Sequence, residues 1–144
     1  MVRFKNRYLL FELAWRDRRP PEGAAEAALL SALRDAVQLN FGDAGAGAVG
    51  PSLAVKFYSP FTGLLVVRCG RAEAGRVRAA LALCTRLCGR PVLPRLLRLS
   101  GTLKTCRDAA LRFDELLAAA APPPPRHQAA AAAAARAALL ALEM

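Results

Sequence analysis

Thr62-Gly63-Leu64-Leu65-Val66-Val67-Arg68-Cys69 decides the fold. It is a short apolar run with two β-branched residues, opened by a glycine, and reads as a strand. Leu64 and Val66 point to one side, Leu65 and Val67 to the other. A strand apolar on both faces must be covered on both, so it belongs in the middle of a sheet. One other segment has comparable apolarity, Arg7 to Leu13, and these two are expected to be the central pair.

Working outward, Leu53, Val55 and Phe57 alternate with Ala54, Lys56 and Tyr58, which predicts a preceding strand. Ser59-Pro60-Phe61-Thr62-Gly63 turns it into the central run and sets Lys56 and Arg68 on neighbouring strands. On the C-terminal side, Val77, Leu81, Cys84 and Cys88 recur at helical spacing and predict a helix over 72–88, ended by Gly89 and Pro91. Val92 to Leu99 contains Pro94 and fits an edge strand. Ser100-Gly101-Thr102 then opens a helix whose inner face is Leu103, Cys106, Ala110, Phe113 and Leu117. Towards the N-terminus, Leu29, Leu30, Leu33, Val37 and Phe41 predict a helix over 24–40, with Gly42 to Gly50 as a glycine-rich loop. Arg3 to Leu13 is the first strand, with Arg3, Lys5 and Arg7 on one face at its start.

The order β-α-β-β-α-β followed by α is the split βαβ arrangement of a ferredoxin-like α+β fold. Its first and third strands are central. Two helices cover one face; the third helix, or a partner protein, must cover the other. The folded domain is expected over 1–119. Residues 120–144 are low in complexity, with Pro122 to Pro125 and then an alanine block. They have little large apolar surface to bury, which predicts a mobile appendage whose residues 129–142 flicker as helix.

The chain carries 21 Lys and Arg against 11 Asp and Glu, a formal charge of +10. Leaving out Arg126, Arg136 and Glu143 of the tail lowers this only to +9, so the charge sits on the body. Such an excess points to a polyanionic partner, either nucleic acid or an anionic membrane surface, with plain solubility as the competing reading. The N-terminus lacks the apolar core of a signal peptide and no long apolar run precedes the alanine tail, so an intracellular chain with reduced thiols is expected.

Catalytic chemistry finds little footing. The single histidine, His127, lies in the Pro/Ala tail, where nothing fixes it as a general base. Asp114 and Glu115 are adjacent on a helix and point apart. Cys84 and Cys88 want further ligands to hold a metal, and no spacing supplies them; burial in a helix–sheet core is the simpler reading. Base stacking on the sheet needs aromatic residues on the third strand, and Thr62 to Cys69 offers none. RNA contact, if there is any, is then expected through phosphates and 2′-hydroxyls. Ser100-Gly101-Thr102-Leu103-Lys104-Thr105 places a Gly-Thr step at a helix start, where free N–H groups and the dipole favour an anion. The competing reading of Thr102 is a plain N-cap.

Three separate stretches resemble one family. Met1-Val2-Arg3-Phe4-Lys5-Asn6-Arg7-Tyr8-Leu9-Leu10-Phe11-Glu12-Leu13 resembles the opening of the small "processing of precursors" subunit, number five, of eukaryotic ribonuclease P and ribonuclease MRP. Ala54-Val55-Lys56-Phe57-Tyr58 with Phe61 to Cys69 resembles that family's central hairpin, and Ser100-Gly101-Thr102-Leu103-Lys104-Thr105-Cys106 its Gly-Thr-Ile-Arg/Lys-Thr-Cys motif. The likeness runs over most of residues 1–117. Phe61 stands where Tyr is usual, Lys56 where Arg is usual, and the tail is not acidic.

The resemblance implies a ferredoxin-like, non-catalytic RNA-binding subunit, nuclear and nucleolar, acting in precursor tRNA 5′-end maturation and precursor rRNA cleavage. It implies that the RNA does the cutting with its own magnesium and that the protein itself holds no cofactor. The implied partners are the ribonuclease P and MRP RNAs, other protein subunits and precursor tRNA, with no membrane. On this reading Arg3, Lys5 and Arg7 grip phosphates at the chain start, Lys56 and Arg68 extend the patch, and Thr102, Lys104 and Arg107 hold a phosphate at the third helix. Leftover apolar residues dock partner subunits. The alternative is a ferredoxin-like protein-interaction or ligand-sensing module without RNA, since the fold hosts many functions. An independent metal-dependent nuclease lacks grouped carboxylates.

Overall fold

A computed structural model describes residues 5–16, 25–120 and 126–142. Five strands form one antiparallel sheet: β1 (Asn6–Trp15), β2 (Ala54–Tyr58), β3 (Leu64–Gly70), β4 (Arg86–Leu87) and β5 (Arg90–Ser100), in the spatial order β2-β3-β1-β5-β4. The helices are α1 (Glu26–Val49), α2 (Ala74–Ala82), α3 (Leu103–Ala120) and α4 (Arg126–Leu140), with a short 3-10 turn at Arg71–Glu73. β1 and β3 are central, as their two-sided apolarity requires.

The two faces of that pair make two cores. Leu9, Phe11, Leu13, Leu65 and Val67 meet Leu29, Leu33 and Val37 of α1 and Val77 and Leu81 of α2. Leu10, Leu64, Val66 and Phe57 meet Leu103, Cys106 and Ala110 of α3. The third helix therefore covers the second face. Burial of Cys69 pushes its thiol up to about 11, with Glu73 adding to the effect, and burial of Cys106 pushes its thiol up to about 12 against the pull of Arg98. Both stay neutral apolar fillers.

Gly63 fixes how β3 starts. Its φ is +75°, and a Cβ there would lie 2.8 Å from the Leu13 carbonyl oxygen. The Leu13 N–H donates to the Gly63 carbonyl at 2.7 Å, tying the turn to β1.

Four expectations are corrected. The helix expected over 24–40 runs to Val49, and the glycine-rich loop is its continuation beyond a kink at Gly42 (φ 68°, ψ −165°). Alanines between the glycines supply the helix propensity, and one residue absorbs the break. The helix expected over 72–88 ends at Ala82. Cys84 and Cys88 leave it for a hairpin whose turn residues, Cys88 and Gly89, both have positive φ, 52° and 78°. Such a turn matches the twist of its strands. Both cysteines still pack against the first core. The first strand, expected to end at Leu13, continues to Trp15. Finally, the tail finds something to bury: Leu139 of α4 sits in the second core and Leu142 packs beside it.

Candidate nucleic-acid interface

Register brings most of the expected cations to one end of the sheet. Tyr8 lies between Arg68 on β3 and Ser100 on β5. Neighbouring strands are about 4.8 Å apart, so Arg68 and the Ser100-Gly101 step flank β1 within roughly 10 Å of each other. Arg7 is opposite Cys69, and its guanidinium lies 3.5 Å from where a Gly101 Cβ would stand. The Arg7 side chain donates to the Asn6 carbonyl at 3.1 Å. Lys5 is exposed, and its carbonyl accepts from the Arg71 N–H at 2.8 Å. That bond adds exposed Arg71 to the group.

The α3 start completes this end. Thr102 Oγ1 accepts the Thr105 N–H at 3.3 Å and shares a hydrogen bond with Thr105 Oγ1 at 2.7 Å. The Thr102 hydroxyl therefore caps the helix. The Leu103 and Lys104 amides lie in the first turn, where the helix provides no acceptor. They, the dipole and exposed Lys104 make this end attractive to an anion.

Arg68 stays beside this end but is partly engaged, while Lys56 and Arg107 sit apart from it. Arg68 is half-buried, and its Nε donates to the Ser52 carbonyl at 3.4 Å, so it is both a brace for the β2 entry and a contributor of charge. Lys56 falls at a β-bulge, between the pairs Val55–Val67 and Phe57–Val66, and so lacks a partner on β3. Arg107 turns away from the α3 start: its Nη1 donates to the Leu142 carbonyl at 3.2 Å, and its Nε lies 3.7 Å from Asp108 Oδ1. Arg3 lies outside the described residues, as does the side chain of His127.

Arg71 was the residue the pattern missed. It follows directly on β3, antiparallel to β1, so the end of β3 must lie beside the start of β1 and its lysine. Among the described residues no group of three or more His, Cys, Asp or Glu side chains is placed to hold a metal ion. The interface can attract and position polyanions.

The chain is similar to a set of proteins of one kind. A Schizosaccharomyces pombe protein named Ribonuclease P/MRP protein subunit POP5 is 40% identical over 120 residues, covering 77% of this chain and 86% of that one. An Arabidopsis thaliana protein named Probable ribonuclease P/MRP protein subunit POP5 is 36% identical over 121 residues, covering 80% of each chain. The Homo sapiens protein of the former name is 32% identical over 118 residues, covering 79% of this chain and 72% of that one. A chain of the cryo-EM structure of yeast ribonuclease MRP superposes with a TM-score of 0.56 over 81% of this chain and 92% of its own, at 15% identity, a likeness of fold. Residues 7–111 match the Rpp14/Pop5 family, a span that includes the central strand pair and the α3 start, and the chain belongs to that family.

Proposed function

We propose that the chain is a protein subunit of ribonuclease P and ribonuclease MRP that takes no chemical step itself. It braces the catalytic RNA during precursor tRNA 5′-end maturation and precursor rRNA cleavage, within the nucleus and nucleolus. The names borne by its relatives support the assignment to these particles. The carrying observation is the meeting of Lys5, Arg7, Arg71 and the Lys104 turn of α3 at one end of the sheet.

Physically, that end neutralises phosphates and releases their counterions. Fixed backbone amides at the α3 start orient one phosphate, while the longer side chains follow the backbone on either side. No base edge is read by such an arrangement, so specificity comes from RNA shape and from the other subunits. Magnesium belongs to the RNA, where grouped phosphates supply the oxygen ligands it prefers.

The test is recovery of the tagged chain from cells, with sequencing of bound RNA. Enrichment of the ribonuclease P and MRP RNAs is expected. Recovery of proteins with neither RNA would overturn the proposal and favour a protein-interaction module.

A further inference from the structure

The described residues cover only part of the second face of the sheet. α3 and α4 shield Leu10, Leu64, Val66 and Phe57. Further along β1, Leu13 and Trp15 enter the opposite core, so Glu12 and Ala14 point to the α3 side. Their partners on β5 are Arg95 and Leu93. Ala14 is exposed and Leu93 is 67% exposed, so among the described residues nothing covers the sheet here.

This strip is ringed with arginine. Arg86 of β4 pairs with Pro91, and Arg16 follows Trp15, whose partner is the adjoining Val92. Arg86 thus faces Pro91 from β4, Arg16 lies one residue past the Trp15–Val92 pair, and both are exposed. Arg95 lies along the same strand in an ion pair with Glu12. Arg98 comes next, opposite Leu10 and close enough to Cys106 to act on its thiol, and it too is exposed. Arg86 also donates to the Gly89 carbonyl at 3.3 Å, which steadies the hairpin tip. From Pro91 to Arg98 the strand rises roughly 20–25 Å.

Arginines along an edge strand also discourage edge-to-edge pairing. That role does not account for this set. Arg16 is at the end of a central strand, and Arg86 belongs to the short strand that already covers this end of the edge. Among the described residues one carboxylate, Glu12, forms an ion pair in the strip, and it engages Arg95 alone.

We propose that this strip is a second RNA-binding surface, taking the sugar–phosphate backbone of an RNA segment other than the one held at the Lys5–Lys104 end. The chain would then be a clamp that fixes the spacing of two RNA segments across the length of its sheet. The charge complementarity is strong, guanidinium suits phosphate, and the exposed Leu93 gives a ribose an apolar seat. The inference rests on the RNA-binding reading above.

The experiment compares the full chain with two variants, Arg16→Gln/Arg86→Gln/Arg98→Gln and Lys5→Gln/Arg7→Gln/Lys104→Gln, binding the ribonuclease P RNA transcript over a range of salt. The log–log salt slope of the strip variant should be shallower by about 2–3, in addition to the loss in the other variant. A photo-crosslinking residue at Leu93 should capture RNA in the assembled particle. An unchanged slope in the strip variant, with a flattened one in the Lys5 variant, would overturn the second surface alone. So would capture of a protein at Leu93. No binding by the unaltered chain would overturn the RNA-binding reading, and this inference with it.

Discussion

Arg107 and Leu142 are 35 positions apart and joined by one hydrogen bond, from the Arg107 Nη1 to the Leu142 carbonyl at 3.2 Å. The carbonyl belongs to the chain just past α4, where the last acceptors of a helix have no partner of their own. A cation expected at the RNA interface thus completes the docking of the tail. Among the described residues, Leu139 in the second core, Leu142 packed beside it and the Arg136–Glu115 ion pair at 3.2 Å are further ties.

An alanine-rich helix held at so few points should detach before the domain unfolds. Leu139→Ala is expected to release α4 with the main thermal transition nearly unchanged. Hydrogen exchange would show it as lost protection over 126–140 with that of β1 and β3 retained. Arg107 would be freed, and the salt slope for RNA should steepen by about 1. Cooperative loss of the whole fold in Leu139→Ala would contradict this.

Gly63 is expected to tolerate no side chain. Gly63→Ala combines a left-handed backbone with a Cβ 2.8 Å from the Leu13 carbonyl. Strain at such a site costs on the order of 1–3 kcal/mol, with more from the clash. Gly101 has no positive φ, and its Cβ would make ordinary contact with the flexible Arg7 side chain. Gly101→Ala should therefore move the melting temperature far less than Gly63→Ala; equal losses would remove the steric argument.

At the proposed RNA interface, Arg7→Ala with Lys104→Ala should flatten the salt slope by about 1.5–2. Arg107→Ala in the intact chain should change it little, because that guanidinium is engaged with Leu142. A titration of binding against potassium chloride separates the two. A large loss from Arg107→Ala would place that side chain on RNA after all.

The buried thiols predict a sign of pH dependence. Cys69 and Cys106 hold their protons in the fold to about 11 and about 12. An unfolded cysteine ionises near 8.5, so between there and the folded values the native state binds more protons. Stability is full below about pH 8.5 and falls as pH rises through the window, by at most about 1.4 kcal/mol per pH unit for each thiol. Cys106→Ala should be less stable at neutral pH, through its cavity, yet lose less between pH 9 and 11. Denaturant midpoints across that range test the slope.

The strand pair was legible because β1 and β3 are apolar on both faces, a pattern only central strands carry. The split βαβ order followed from it. Gly42 misled because a glycine cluster resembles a loop, although a single positive φ suffices to kink a helix that alanines then resume. Cys88 misled because a left-handed cysteine is not a residue type that announces a turn. At the interface, alternation placed Lys5 and Arg7, and the Gly101-Thr102 step placed Lys104. The engagement of Arg107 was hidden, because its acceptor is a main-chain carbonyl and any residue could have supplied it. The arginine strip was hidden too: Arg86 and Arg98 lie on different strands, Arg16 is far from both in sequence, and only strand register lines them up along β5.

Each bulge gives an outer strand one residue more than its ladder needs. On β5 the extra residue lies between the pairs Leu10–Arg98 and Phe11–Leu96, and on β2 it is Lys56. Two consecutive side chains share a side there, so a chain lacking Leu97 or Lys56 would keep every inward residue inward. A deletion elsewhere in these strands would turn the remainder inside out. Natural length variation among relatives should therefore collect at these two points, and a designer wishing to shorten the protein has two places to begin.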